Sequence, residues 1–193
     1  MGPRLDALEE QMQIVRGHWG PGPFDFDGEY FSARELNALP KPAQQPLPLI
    51  LGGRGGPRSL RLAARYADEY NTVMATAEEI ADIRRRLDEA CEAEGRDPAK
   101  LPLSMMTGWL VGADRDELVD RGSRLSQWKG EGDDGEALIA GLRETTILGT
   151  VEEAIEQLRE LEAAGLTRIM GQHLLHRDLD AVAVMGREIA PRV

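Results

Sequence analysis

The run Gly52-Gly53-Arg54-Gly55-Gly56 follows the apolar stretch Leu47-Pro48-Leu49-Ile50-Leu51 and leads directly into Pro57-Arg58-Ser59, where a helical pattern begins. Four glycines around one arginine let the backbone approach a ligand closely, and the free N–H groups and positive dipole end of the helix that follows favour an anion. The chemistry this suits is the holding of a phosphate, the common handle of cofactors. The spacing lacks the Lys-Ser/Thr of a nucleoside-triphosphate loop and is not a clean dinucleotide fingerprint. Taken alone, the glycines also fit a tight strand-to-helix turn with no ligand. A second group of chemically capable side chains lies near the C-terminus, in Gln172-His173-Leu174-Leu175-His176-Arg177-Asp178. The histidine spacing would suit a metal pair only with a further ligand cluster, and the sequence offers none, so no metal is expected.

These residues sit in a chain of 193 amino acids with 41% hydrophobic residues, enough for one domain with a real core. The net charge of −11 argues against a general binder of nucleic acid or acidic membranes, because the field repels phosphates except where arginines are focused. The single cysteine, Cys91, cannot form an internal disulfide, and its acidic helical surroundings disfavour a reactive thiolate. With no apolar leader and no 18-residue apolar run, the expectation is a soluble, cytoplasmic protein.

Apolar residues at Leu5, Leu8, Met12 and Val15 predict an amphipathic helix ending near Gly17. Residues 18–46 form an irregular, proline-rich insertion with a short hairpin around Asp27-Gly28, the sort of long loop that tends to be functional. Over 47–193 the pattern becomes four βα units, with strands at Leu49–Gly52, Glu69–Met74, Leu103–Val111 and Arg168–Gly171. The helices between and after them are Pro57–Tyr66, Ala77–Glu94, Arg115–Gln127, a short one from Glu136, Val151–Ala164 and Leu179–Ile189. Thr150 reads as an N-cap and Gly165 as the matching C-cap. Strands alternating with helices imply a parallel sheet with right-handed crossovers. The first helix has no strand before it, so the chain reads as starting inside a repeating βα architecture.

Pro40-Lys41-Pro42-Ala43-Gln44, Pro48-Leu49-Ile50-Leu51-Gly52-Gly53, Leu60 through Asn71, and Gly149-Thr150 together resemble the bacterial luciferase-like monooxygenase family. Within that family they are most similar to the branch that depends on the deazaflavin coenzyme F-420, and the segment Gln172–Asp180 resembles one actinobacterial-type subgroup of that branch. The resemblance implies an α/β fold, the C-terminal half (strands 5–8) of a luciferase-like (β/α)8 TIM barrel, with the first four βα units absent. It implies that a cofactor phosphate lies against Gly52, Gly53, Gly55 and Gly56, with charge and hydrogen bonds from Arg54, Arg58 and Ser59. Asn71 would meet a flavin or its tail at the same rim, or stand as a polar strand-end residue without a ligand. His173 would sit beside the ring or substrate as a proton donor or acceptor, or serve as a loop histidine bonded to backbone. Arg61 and Arg65 read as solvated, and Met105, Thr107 and Trp109 as sheet core.

Two functions follow. The first is a flavin- or deazaflavin-dependent oxidoreductase performing two-electron redox on a small organic substrate, with coenzyme F-420 as cofactor and FMN as the alternative. The second is a non-catalytic half barrel that binds a cofactor or pairs with itself. In both, an open half barrel exposes a sheet face and strand edges, which predicts a homodimer or higher species.

Overall fold

The computed structural model describes residues 2–193. Helix α1 (Gly2–Trp19) runs past the end predicted near Gly17. Gly17 is a packing position rather than a stop, because a Cβ there would run into the ring of Phe24. The predicted hairpin is present as β1 (Phe24–Asp27) and β2 (Ser32–Leu36). Its turn is held by the Glu10 carboxylate, which accepts N–H groups from Glu29 at 2.7 Å and from Tyr30 and Phe31 at 2.9 Å.

Two compact units divide the chain: residues up to Tyr70 with Arg86–Leu101, and Asn71–Arg85 with Pro102–Val193. The division passes through strand β4 (Glu69–Val73) and helix α3 (Ala77–Ala93).

In the first unit, strand β3 (Ile50–Gly52) pairs with β4, and helix α2 (Pro57–Tyr66) follows the glycine loop. The helix begins at Pro57 because proline has no N–H to lose at a first helical position and its φ is preset. Its apolar residues Leu60, Leu62, Ala63 and Ala64 are buried, together with Leu51, Tyr70, Leu87 and Cys91. Arg96 donates to the carbonyls of Ala64 at 3.1 Å and Ala67 at 2.6 Å, placing a cation where the α2 dipole is negative. Arg16 pairs with Asp68 and donates to Leu47 O at 3.1 Å. Asp68 in turn accepts the Leu49 N–H at 2.7 Å, which fixes the entry to β3.

In the second unit, β5 (Leu103–Gly112) is bordered by β4, β6 (Thr146–Thr150) and β7 (Arg168–Gln172), and its pairings with β6 and β7 are parallel. Over residues 47–193 five strands are present where four were expected, β6 being the addition. The unpredicted β6 is anchored by Thr107 Oγ1, which donates to Thr145 O at 2.9 Å. Gly108 faces both Thr146 and Gln172 in register, and a Cβ there would lie 2.5 Å from Thr146 Oγ1. Helices α4 (Arg115–Lys129) and α5 (Gly135–Leu142) share a core of Leu110, Leu118, Leu125, Ile139 and Leu148. Helix α6 (Val151–Ala163) opens on the predicted Thr150 cap, reinforced by Glu153 in a capping box, and closes at Gly165 with φ +98°. Helix α7 (Leu179–Val184) widens into a π-turn over Met185–Ile189. Among the described residues no helix is long and apolar enough to cross a membrane.

Candidate functional site

The glycine loop of the first unit has an unusual accounting of backbone donors. An α-helix starts with N–H groups that have no intrahelical acceptor, and a side chain at the N-cap ordinarily takes one of them. At α2 the N-cap is Gly56, with φ −65° and ψ 141° and no side-chain cap. The N–H groups of Gly56, Arg58 and Ser59 have no acceptor among the described residues. The next amide, of Leu60, is the first to close, on Gly56 O at 3.0 Å.

The loop is rigidly built around those open donors. Gly55 is buried with φ +72°, a conformation that favours glycine. Its N–H donates to Tyr70 Oη at 2.9 Å and its carbonyl accepts from Arg86 Nη1 at 2.8 Å. Ser59 Oγ donates to Gly56 O at 2.8 Å and lies 3.1 Å from Tyr70 Oη. A Cβ on Gly53 would collide with that tyrosine hydroxyl, whereas Gly52 faces open space.

The two arginines differ. Arg54 is exposed and makes no ion pair or side-chain hydrogen bond among the described residues. Arg58 pairs with Asp6 and donates to Gly2 O at 3.2 Å, so its guanidinium ties α2 to α1. Ser59 has its proton committed inside the loop. The predicted cluster Gly52 to Ser59 is therefore contiguous, with open amides and Arg54 as its available donors. A phosphate fits this donor set: N–H groups, a helix N-terminus and one uncommitted guanidinium.

Asn71 and His173 belong to the second unit. Asn71 lies inside β4 rather than at its end, and its Nδ2 donates to Ser104 Oγ at 2.9 Å. The strand ends at Val73, and Met74 takes φ +47°, an uncommon conformation for a non-glycine side chain that is found disproportionately near functional sites. The Met74 N–H donates to Met106 O at 3.0 Å and the Ala75 N–H to Met105 Sδ at 3.2 Å. Met74 borders a cavity of about 120 Å³ with Trp109, Leu125, Gln172 and Leu174. Met105, Thr107 and Trp109 are buried, as read from the sequence. His173 follows β7, with Nε2 buried and without a hydrogen-bond partner. Such an orphaned nitrogen is a polar group awaiting one.

The loop that carries His173 ends in an ion-pair network which sequence reasoning missed. Arg121, 1% exposed, donates to Val111 O at 2.8 Å and to Asp178 Oδ2 at 3.1 Å, and pairs with Glu117 at 2.6 Å. Asp178 also pairs with Arg124 and caps α7 by accepting the Ala181 N–H at 3.0 Å. Burial works against ionisation of Asp178, but hydrogen bonds from Arg121, the Ala181 N–H and Arg124 outweigh it and lower its pKa from 3.8 to about 2. The available signal was Arg121 standing in the apolar helical series Leu118, Arg121, Leu125. Tyr70 and Met74 carried no comparable signal.

A family model described as luciferase-like monooxygenase matches residues 1–168. Pyrimidine monooxygenase RutA of Klebsiella pneumoniae is 33% identical over 107 residues, 53% of this chain and 29% of that enzyme. The coenzyme F-420-dependent tetrahydromethanopterin reductase of Methanopyrus kandleri superposes with a TM-score of 0.76 at 18% identity, over 97% of this chain and 63% of the reductase. A riboflavin lyase holding modified FMN superposes with a TM-score of 0.71 at 16% identity, over 98% of this chain and 57% of the lyase. The chain thus spans less than two thirds of each of these proteins.

Proposed function

Because this chain belongs to the luciferase-like monooxygenase family, we propose that it binds a flavin or deazaflavin through the cofactor's phosphate and takes part in two-electron redox on a small organic substrate. The observation that carries this reading is the uncapped α2 N-terminus behind the glycine loop, with its open amides and uncommitted Arg54. The amides of Gly56, Arg58 and Ser59 hold the phosphate, Arg54 adds charge, and Gly52 and Gly53 keep side chains out of the approach. Arg58 acts through its tie to α1. When bound, the cofactor ring supplies hydride transfer, or oxygen activation if it is a reduced flavin. His173, with its unpartnered Nε2, donates or accepts a proton beside ring or substrate, and Asn71 orients β4 through Ser104.

Coenzyme F-420 is the preferred cofactor and FMN the alternative; proteins of both kinds share the fold. Self-association, as a homodimer or higher species, belongs to the same reading. It is supported by apolar strand residues left exposed, Ile50 in the first unit and Met106 in the second. Fluorescence titration of the purified chain with coenzyme F-420 and with FMN tests the proposal. Micromolar or tighter binding of one of them supports it and identifies the cofactor, and absence of binding to both contradicts it. Sedimentation velocity tests the assembly, which a monomer at high concentration would contradict.

A further inference from the structure

The glycine loop is held in shape by two side chains distant from it in sequence. Gly55 is gripped at both ends of its peptide groups, its N–H by Tyr70 Oη and its carbonyl by Arg86. The hydroxyl of Tyr70 has two roles open to it, one as acceptor and one as donor. It accepts from Gly55 and so can donate to Ser59 Oγ, which donates to Gly56 O. Every proton in this relay has an acceptor, and Tyr70 is completely buried, so no water competes for the hydroxyl. The relay runs from Gly55 to Gly56, the residue that stands at the head of α2.

We propose that Tyr70 and Arg86 are positioning residues for the anion loop: they fix Gly55 in its left-handed conformation so that the amides of Gly56, Arg58 and Ser59 are set before a phosphate arrives. The proposal rests on the cofactor reading above. Preorganised donors bind an anion more tightly than donors that must be ordered on binding, since the ordering cost has been met during folding. Neither side chain touches the ligand in this account. Their effect is confined to that part of the affinity which depends on the phosphate.

The test is the ratio of the dissociation constants for riboflavin and FMN, measured for the unmodified chain and for Tyr70→Phe and Arg86→Gln. The same ratio is taken for coenzyme F-420 against its phosphate-free riboside. Phenylalanine keeps the packing of the buried ring and removes only the hydroxyl. The unmodified chain should prefer the phosphorylated partner, and each variant should lose about tenfold of that preference while its affinity for the phosphate-free compound stays unchanged. Variants that keep the full preference would overturn the positioning roles and leave the anion loop standing. Equal loss of both compounds in both variants would make Tyr70 and Arg86 general supports of the fold and also overturn the proposal. An unmodified chain without phosphate preference in either pair would overturn the cofactor reading itself.

Discussion

Two helix beginnings in this chain solve the same electrostatic problem in opposite ways. At α7 the exposed donors and positive dipole end meet Asp178, a carboxylate from the chain itself, and two arginines hold that carboxylate in place. At α2 the corresponding position is Gly56, and no side chain among the described residues caps the helix there. From α3 to α6 the helix starts follow the first pattern: Thr76 with Glu79 at α3, Asp114 at α4, Asp134 at α5, and Thr150 with Glu153 at α6. The helix starts from α3 to α7 are satisfied by side chains of the chain itself, whereas the α2 start, behind four glycines and an uncommitted arginine, is the end at which the proposed phosphate would sit.

The largest expected effect is at α7. Asp178→Ala removes the cap and leaves buried Arg121 with only Glu117 and a carbonyl, so stability should fall by roughly 2–4 kcal/mol in urea unfolding. The pH dependence has a definite sign. Asp178 ionises more readily folded than unfolded, at about 2 against 3.8, so its stabilisation is complete above 3.8 and is lost as pH falls through about 2. Wild type and variant should converge in that window, and a difference that persists unchanged below it would contradict the ion-pair account.

At α2 the expected effects are on binding rather than folding. Arg54→Ala should weaken FMN or coenzyme F-420 by about tenfold and move unfolding stability by less than about 0.5 kcal/mol, because the side chain is exposed and has no partner to lose. The binding loss should shrink at high salt. A second substitution with a small expected change in stability gives the sharpest test of the contrast. Gly56→Asp converts the α2 end into the α7 type: the backbone already has N-cap dihedrals, and an added Cβ lies 3.7 Å from Ser59 Oγ, an ordinary contact. Stability should rise by about 0.5 kcal/mol in thermal unfolding, while the preference for FMN over riboflavin disappears. A stabilised variant that still prefers FMN would show that the phosphate lies elsewhere.

The glycine loop and α2 were legible because their signals are local: proline at the first helical position, apolar spacing within the helix, glycines before it. The parallel alternation was legible for the same reason. Strand β6 was not, since Ile147-Leu148 is a two-residue apolar run between helices whose pairing depends on Thr107 and on register with β5. Arg58 illustrates a different limit. Its charge and position suited a phosphate, but Asp6 lies 52 residues away in sequence, and no local pattern announces that pairing. Asn71 was read as a strand-end residue although the predicted strand ran on to Met74; the observed strand stops at Val73, and the turn there is set by Met74, whose conformation depends on contacts to β5. Tyr70 was hidden inside a strand that read as core.

The most direct test of the central claim is the amide nitrogen–proton NMR spectrum of the chain titrated with FMN and, separately, with riboflavin. FMN alone should shift the amides of Gly56, Arg58 and Ser59, while Gly55, bonded to Tyr70, should move little. Identical shifts with both compounds, or phosphate-dependent shifts confined to other segments, would contradict that claim.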